Sequence, residues 1–308
     1  MSRTEVINWC PPLHHQLEGI RDPESYTLPT PFVAVIIGGS RGIGAHMAKS
    51  FAQAGASTVI ITGRDVSALK VAKAEAEAAG KHAELKVETI TCDVLKDDEI
   101  QKLAAEIERS CGRIDCLVIN SGTPVQLMKQ EDGRMDWPKG IVDADMADLR
   151  HVMDLNLMAP MAILHHLLPL VIKSPDGPQT VVIVSSSAAN NVDPKSIPIA
   201  YSMSKFANAR LAEYIHEGYS DKGICCVSIQ PGSVMTDGAR ANIPTGKNWE
   251  SQLSDHVGLA GRLCVWLASE KKPWLSGRYI DSRWDLEELE RRKPQILERD
   301  QLKFRLVI

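Results

Sequence analysis

The sequence has no block rich in lysine or arginine, no Cys-x-x-Cys pair and no apolar core of signal-peptide length at its N-terminus. Each absence removes a class of function. With a net charge of −4, nucleic acid and anionic membranes are poor partners. Seven cysteines are scattered singly or as one adjacent pair (Cys10, Cys92, Cys111, Cys116, Cys225, Cys226, Cys264), so no disulfide framework or zinc ribbon is expected. A reducing compartment suits such usage. Apolar tracts such as "LNLMAPMAIL" fall short of a membrane span, and "MSRTEVINWCPPLHHQLEG" has none of the layout of a secretory leader. A cytoplasmic protein is expected. What is present is ordinary: 308 residues, 44% hydrophobic and 24% charged, ample for a sizeable core.

The chain alternates two periodicities. Short, largely apolar runs, "FVAVIIGG" (32–39), "STVIITG", "KVETITCDV", "IDCLVINSG", "TVVIVSSS" and "GICCVSIQPG", are separated by helical stretches such as "VSALKVAKAEAEAAG" and a long apolar helix around 145–173. Fully apolar strands joined by helices indicate a parallel sheet covered on both faces. Right-handed crossovers make it a doubly wound, Rossmann-like α/β sheet. No repeat and no second dinucleotide unit is visible, so one domain is expected, spanning 32–284. Residues 1–31 and 285–308 read as extensions, and the polar, Pro/Gly-broken 237–256 as a substrate lid.

Ligands of such sheets bind at the carboxyl ends of the strands. After the first strand comes "GGSRGIG", with Gly38, Gly42 and Gly44 between strand and helix. Glycine permits a tight turn and close backbone approach, and a helix N-terminus favours pyrophosphate. The spacing is not Gly-x-Gly-x-x-Gly, and a merely structural turn is the alternative. Dinucleotide folds often carry a carboxylate about 20 residues on, for the ribose of NAD. Here that place holds Arg64, preceded by Gly63. A guanidinium suits a 2′-phosphate. Arg41 within the turn is a second candidate cation, so NADP, used as NADPH, is the expected cofactor.

Together these features resemble the classical short-chain dehydrogenase/reductase family over about residues 32–281. "GGSRGIG" matches its glycine turn, with Ile37 replacing the usual threonine. "CDV" supplies Asp93, and "INSG" keeps Asn120 and Gly122 of the family's Asn-Asn-Ala-Gly while its first position is Ile119. "DLNLMAP" supplies Asn156, "VSSSAA" a serine, "YSMSK" the Tyr-x-x-x-Lys pair Tyr201 and Lys205, and "QPGSVMT" the Pro-Gly segment beside the nicotinamide. The resemblance implies cofactor contacts from Gly38, Ser40, Arg41, Gly42, Ile43, Gly44, Arg64, Asp93, Val94, Asn120, Gly122, Tyr201, Lys205, Pro231, Gly232, Val234 and Thr236. Alignment of the strand selects Ser186, about two residues further from the tyrosine than usual. Ser187 stays a possible substitute and Ser185 a weaker one. The segments "NNVDPKSIP" and "MKQEDGRMDWPKG" resemble insertions that rim the substrate side.

A Tyr-x-x-x-Lys pair alone decides nothing, but in this setting it has a chemical role. A phenol with pKa near 10 exchanges its proton poorly at neutral pH. A cation about 4 Å away contributes about 4 kcal/mol at an effective dielectric of 20, and Lys205 lies one helical turn from Tyr201. Tyr201 is then the general acid in reduction, Lys205 its tuner and Ser186 a donor to the developing alkoxide, while the family resemblance implies that Lys205 also holds the nicotinamide ribose and that Asn156 holds a water linking Lys205 to solvent. The expected activity is hydride transfer between NADPH and a carbonyl or secondary alcohol of a bulky small molecule, reduction favoured. A non-redox scaffold, a sensor or a cofactor-assisted rearrangement is the alternative. The family further implies a homodimer or homotetramer, joined through the long apolar helix and the helix of Tyr201. Adjacent His165 and His166 face different ways, so no metal site is expected. Cys225 and Cys226 read as small hydrophobes in a buried strand, and Trp249 as a lid residue in reach of substrate.

Overall fold

A computed structural model describes residues 8–17, 22–138, 140–246 and 248–306. Its centre is a seven-stranded parallel sheet. The strands are β1 (Val33–Ile37), β2 (Thr58–Gly63), β3 (Lys86–Thr91), β4 (Cys116–Ile119), β7 (Thr180–Val184), β8 (Cys225–Gln230) and β9 (Tyr279–Asp281). The other two, β5 (Met128–Lys129) and β6 (Met135–Asp136), form a separate short antiparallel hairpin. The sheet order is β3-β2-β1-β4-β7-β8-β9. The chain therefore winds outward from β1 to β3, then returns to β4 and winds the other way.

Alternation along β1 explains why both faces are covered. Ala34 and Ile36 point into one core with Val59, Ile61, Met47, Phe51 and Leu263. Val33, Val35 and Ile37 enter the opposite core with Ile60, Ile100, Leu103, Ile163 and Leu167. On the first face lie α1 (Gly42–Gln53), α2 (Val66–Ala78) and α7 (Leu259–Ala268). The second carries α3 (Asp97–Ser110), α4 (Met146–Ile172) and α5 (Ile199–Tyr219). Buried Asp115 anchors the start of β1: it accepts from the Val33 amide at 2.9 Å and from Arg113 at 2.6 Å. Edge strand β3 carries Lys86 and Glu88, charges that discourage pairing with another sheet.

Several elements depart from the sequence expectation. At 27 residues, α4 is long and apolar enough to cross a membrane by length and composition. Its inner face packs on the sheet, with Ile163, Leu164, Leu167 and Val171 buried. The N-terminal extension has no α-helix or strand among its described residues, yet it places Cys10, Tyr26 and Leu28 in the first core. Leu13 bridges to Trp284, and the rings of Trp9 and Trp284 lie 5.4 Å apart. The C-terminal segment forms α8 (Leu286–Arg291) and α9 (Lys293–Glu298), whose Leu289 and Ile296 enter the same core. Both ends of the chain thus seal one side of the sheet near β9.

Candidate active site

The carboxyl ends of β1, β2, β4, β7 and β8 open into one cleft of about 1320 Å³. That exceeds the roughly 300–1,000 Å³ of a typical single-ligand pocket, leaving room for a dinucleotide and a second molecule.

At one end the glycine turn leads from β1 into α1. Gly38 has φ +77° and its α-carbon faces Ser121, where a Cβ would come within 2.8 Å of the backbone nitrogen. Gly44 packs against the Gly38 carbonyl and the Asn120 amide, leaving no space for a side chain. Asn120 Nδ2 donates to Gly38 O at 2.8 Å, fastening the end of β4 to the turn. The first residue before α1, Arg41, makes no side-chain cap, so the helix amides stay available to a phosphate. The Thr62 and Ser121 hydroxyls are buried, line the cleft and have no partner among the described residues. Orphaned polar atoms beside a tight glycine cradle fit a nicotinamide dinucleotide.

Most expected cofactor residues meet here. Gly38, Ser40, Arg41, Gly42, Ile43, Arg64, Val94, Asn120, Gly122, Pro231, Gly232, Val234 and Thr236 all line the cleft. Gly44 stands just behind the turn. Asp93 does not reach the cleft wall. Its carboxylate turns back to accept from the Leu95 amide at 3.2 Å, while its neighbours Cys92 and Val94 face the cavity. Arg41 is also not the free second cation expected, because it pairs with Asp65. Asp65 caps α2 by accepting from Ser67 and Ala68 amides; the Ala68 amide and Arg41 hold its carboxyl below the usual range. Arg64 is exposed on the wall, with no carboxylate paired to it among the described residues. His46, Thr62, Ser121 and Trp137 were missed; the first three are common residue types with no distinctive spacing.

The catalytic candidates meet in the middle. Ser186 follows β7 and lines the cleft with Tyr201, its hydroxyl accepting from the Ala188 amide at 3.1 Å. Ser185 instead donates to the Lys205 carbonyl at 2.7 Å, and the buried Ser187 gives its amide to Gln230 Oε1 at 3.1 Å. The extra residues between serine and tyrosine loop out through Asp193 and Ser196, hydrogen-bonded at 2.5 Å, so the longer spacing still delivers Ser186. Asn156 sits in a π-helical turn, Asp154–Met158, within α4; such turns often mark functional sites. Its side chain bonds both backbone groups of Thr123 at 2.8 Å and Ser204 Oγ at 3.2 Å. A Cβ on Gly122 would lie 3.2 Å from Asn156 Oδ1 and 3.3 Å from Lys205 Nζ. Glycine there lets amide and ammonium approach one another under the cleft floor.

Electrostatics differ from the simple expectation. Lys205 is 4% exposed and its Nζ donates to Val184 O at 2.9 Å. Burial pushes its ammonium down to about 8. Tyr201 is half-buried by surface area, yet enough protein surrounds its phenol for desolvation to push it up, opposed by the hydrogen bond from Ser186. Lys205 Nζ lies 5.7 Å from the tyrosine ring centre. The protein alone therefore keeps the phenol protonated; the expected lowering by Lys205 does not prevail, because burial weighs on both groups.

The comparisons agree with this architecture. A family model described as short chain dehydrogenase matches residues 32–246. The chain belongs to the short-chain dehydrogenase family. It is similar to the short chain dehydrogenase pgmD of Aspergillus terreus, 33% identical over 306 residues that cover 98% of this chain and 95% of that protein. The short chain dehydrogenase mpl6 of Monascus purpureus is 32% identical over 274 residues, covering 89% and 88%. Among solved short-chain dehydrogenases, one from Mycobacterium ulcerans superposes with TM-score 0.69 at 22% identity, covering 83% of this chain and 89% of that one. Another, from Escherichia coli CFT073 and complexed with NADPH, gives TM-score 0.68 at 22% identity, covering 85% and 100%. These two structures, at that identity, speak to the fold. As a family member this protein is an oxidoreductase of a small molecule.

Proposed function

We propose that the protein is an NADPH-dependent reductase of a carbonyl group on a bulky small molecule, with Tyr201 as general acid. The single observation that carries this reading is that Ser186, Tyr201 and Lys205 line one cleft, with Asn156 beside Lys205 at Gly122. NADPH supplies the hydride when bound. The chain's own residues supply the proton and its placement. The protonated phenol is the form that donates to a carbonyl oxygen, and the phenolate the form that accepts from an alcohol. Ser186 holds the same oxygen-binding position and stabilises charge as it develops there. The buried Lys205 would hold the nicotinamide ribose, and Asn156 fixes the Thr123 backbone on the cleft wall.

Arg64 supports NADP over NAD. It is the cation at the end of β2 with no described carboxylate against it, whereas the charge of Arg41 is offset by Asp65. We also infer association through α4 and α5, because Met158 and Met161 on one and Met203 and Tyr214 on the other are exposed. The test of function is oxidation of NADPH by the purified protein across a panel of cyclic and aromatic ketones. Ketone-dependent oxidation is expected. Tight NADPH binding with no turnover of any ketone would replace this reading with a cofactor-binding scaffold.

A further inference from the structure

The substrate end of the cleft is built from two segments far apart in sequence. Trp137 follows the β5–β6 hairpin and Trp249 lies in the lid; both face the cavity. Their rings meet edge to face, 5.4 Å between centroids and 66° between planes. Each N–H is already used: Trp137 Nε1 donates to Asn242 O at 3.0 Å and Trp249 Nε1 to Pro244 O at 2.8 Å. Thr245 adds a backbone bond to Met135 O at 3.0 Å, so hairpin and lid are tied together. The rings are thus oriented before any ligand arrives, and what they offer it is π surface rather than a donor. Ile197, Met235, Ile243 and Leu253 complete an apolar wall. Among the described residues on the cleft wall, the charged side chains are Arg41 and Arg64 at the glycine turn, Lys205 beneath the tyrosine, and Asp237 at the start of the lid. A ligand carboxylate or phosphate beside the tryptophans would find no described cation there.

We propose that Trp137 and Trp249 form an aromatic wall that selects flat, uncharged aromatic ketones over compact aliphatic ones. The inference rests on the reductase reading above for the word ketone, but not for the binding preference. An edge-to-face pair leaves ring surface that its partner does not cover. A fused aromatic guest extends such a pair by offset stacking or a further edge contact, at centroid spacings of about 4.5–7 Å. A saturated ring of similar polarity gains the apolar burial but not the quadrupole contact.

The test is calorimetric titration of 2-naphthol and of cyclohexanol into the full chain saturated with NADP, for wild type, W137L, W249L, W137F and W249F. Leucine keeps apolar bulk and removes the ring; phenylalanine keeps a ring and removes the N–H. Each leucine variant is expected to weaken 2-naphthol about tenfold, leaving cyclohexanol and NADP within about twofold; each phenylalanine variant should stay within about threefold of wild type for 2-naphthol. Unchanged 2-naphthol affinity in both leucine variants overturns the proposal, as does an equal loss for cyclohexanol, which would make the rings mere packing. NADPH-dependent reduction of 2-tetralone is measured alongside. The expected naphthol pattern with no reduction of 2-tetralone or of any ketone in the panel would leave the aromatic site standing and defeat the reductase reading instead.

Discussion

The two halves of the cleft are made by different means. At the turn end, recognition is local: Gly38 to Gly44 lie within one strand–turn–helix unit, and Asn120 closes it with a single bond to Gly38 O. At the tryptophan end, the contacts that tie the hairpin to residues 242–245 join distant segments: Trp137 to Asn242 and Thr245 to Met135. The N-terminal segment joins in, as His15 Nδ1 lies 2.5 Å from Asp255 Oδ1. Asp255 in turn accepts from the Ser233 amide at 2.5 Å and neighbours Arg283 at 3.8 Å. This buried carboxylate therefore couples His15 to the Pro231–Thr236 segment of the cleft wall. A turn dictated by sterics reads directly from a short motif. A wall assembled from segments far apart in sequence does not.

The contrast predicts that variants at the turn end change cofactor choice and variants at the lid end change substrate binding. The largest of these effects is expected at Arg64. Arg64→Ala should weaken NADPH by roughly 10- to 150-fold, the worth of a lost charge-assisted contact, and NADH far less. Arg41→Ala should act in the same direction but less, because Asp65 already engages that guanidinium. Equal weakening of both cofactors by Arg64→Ala, measured as dissociation constants, would make Arg64 a structural residue.

A second prediction sits between the halves. Lys205 is depressed to about 8 in the folded protein from an ordinary 10.5. Between those values the unfolded chain holds a proton that the folded one has released, so stability should rise with pH across that window. Relative to Lys205→Met, the wild type without cofactor should gain up to about 3 kcal/mol from pH 8 to 10.5. Denaturant midpoints of both proteins across that range check it. A parallel pH dependence would mean that Lys205 is hydrated and normally charged.

The smallest effect belongs to the N-terminal clamp. His15 is half-exposed and Asp255 keeps other partners, so His15→Ala should cost under about 1 kcal/mol of stability. Its clearer signature is faster proteolysis within 237–256, with NADPH affinity unchanged. An identical cleavage rate would show that the clamp does not hold the lid.

The same contrast accounts for what the sequence made legible. Fully apolar strands announced the parallel sheet, and Tyr201, Lys205, Asn156 and the glycine turn were visible because their spacing is fixed by one element each. The motif marks Asp93 but does not encode that one of its carboxylate oxygens accepts from the Leu95 amide. Arg41 was read as free because its partner lies at the end of another strand. Spacing shows the ammonium near Tyr201 but not the burial that acts on both groups. Strand β9, with three residues, is too short to give a periodic signal. Trp137 lay unmarked in an apparent insertion, since nothing in 128–140 points to its partner more than a hundred residues away.

The most direct test of the account is turnover and binding measured together in Tyr201→Phe. The phenyl ring keeps the shape of the site and removes the proton that the mechanism donates. NADPH affinity should stay within about twofold, while ketone-dependent NADPH oxidation falls by at least about a hundredfold, the lower range for acid–base catalysis. Full turnover in that variant, with NADPH still bound, would contradict the assignment of Tyr201 as the acid and with it the central claim about this cleft.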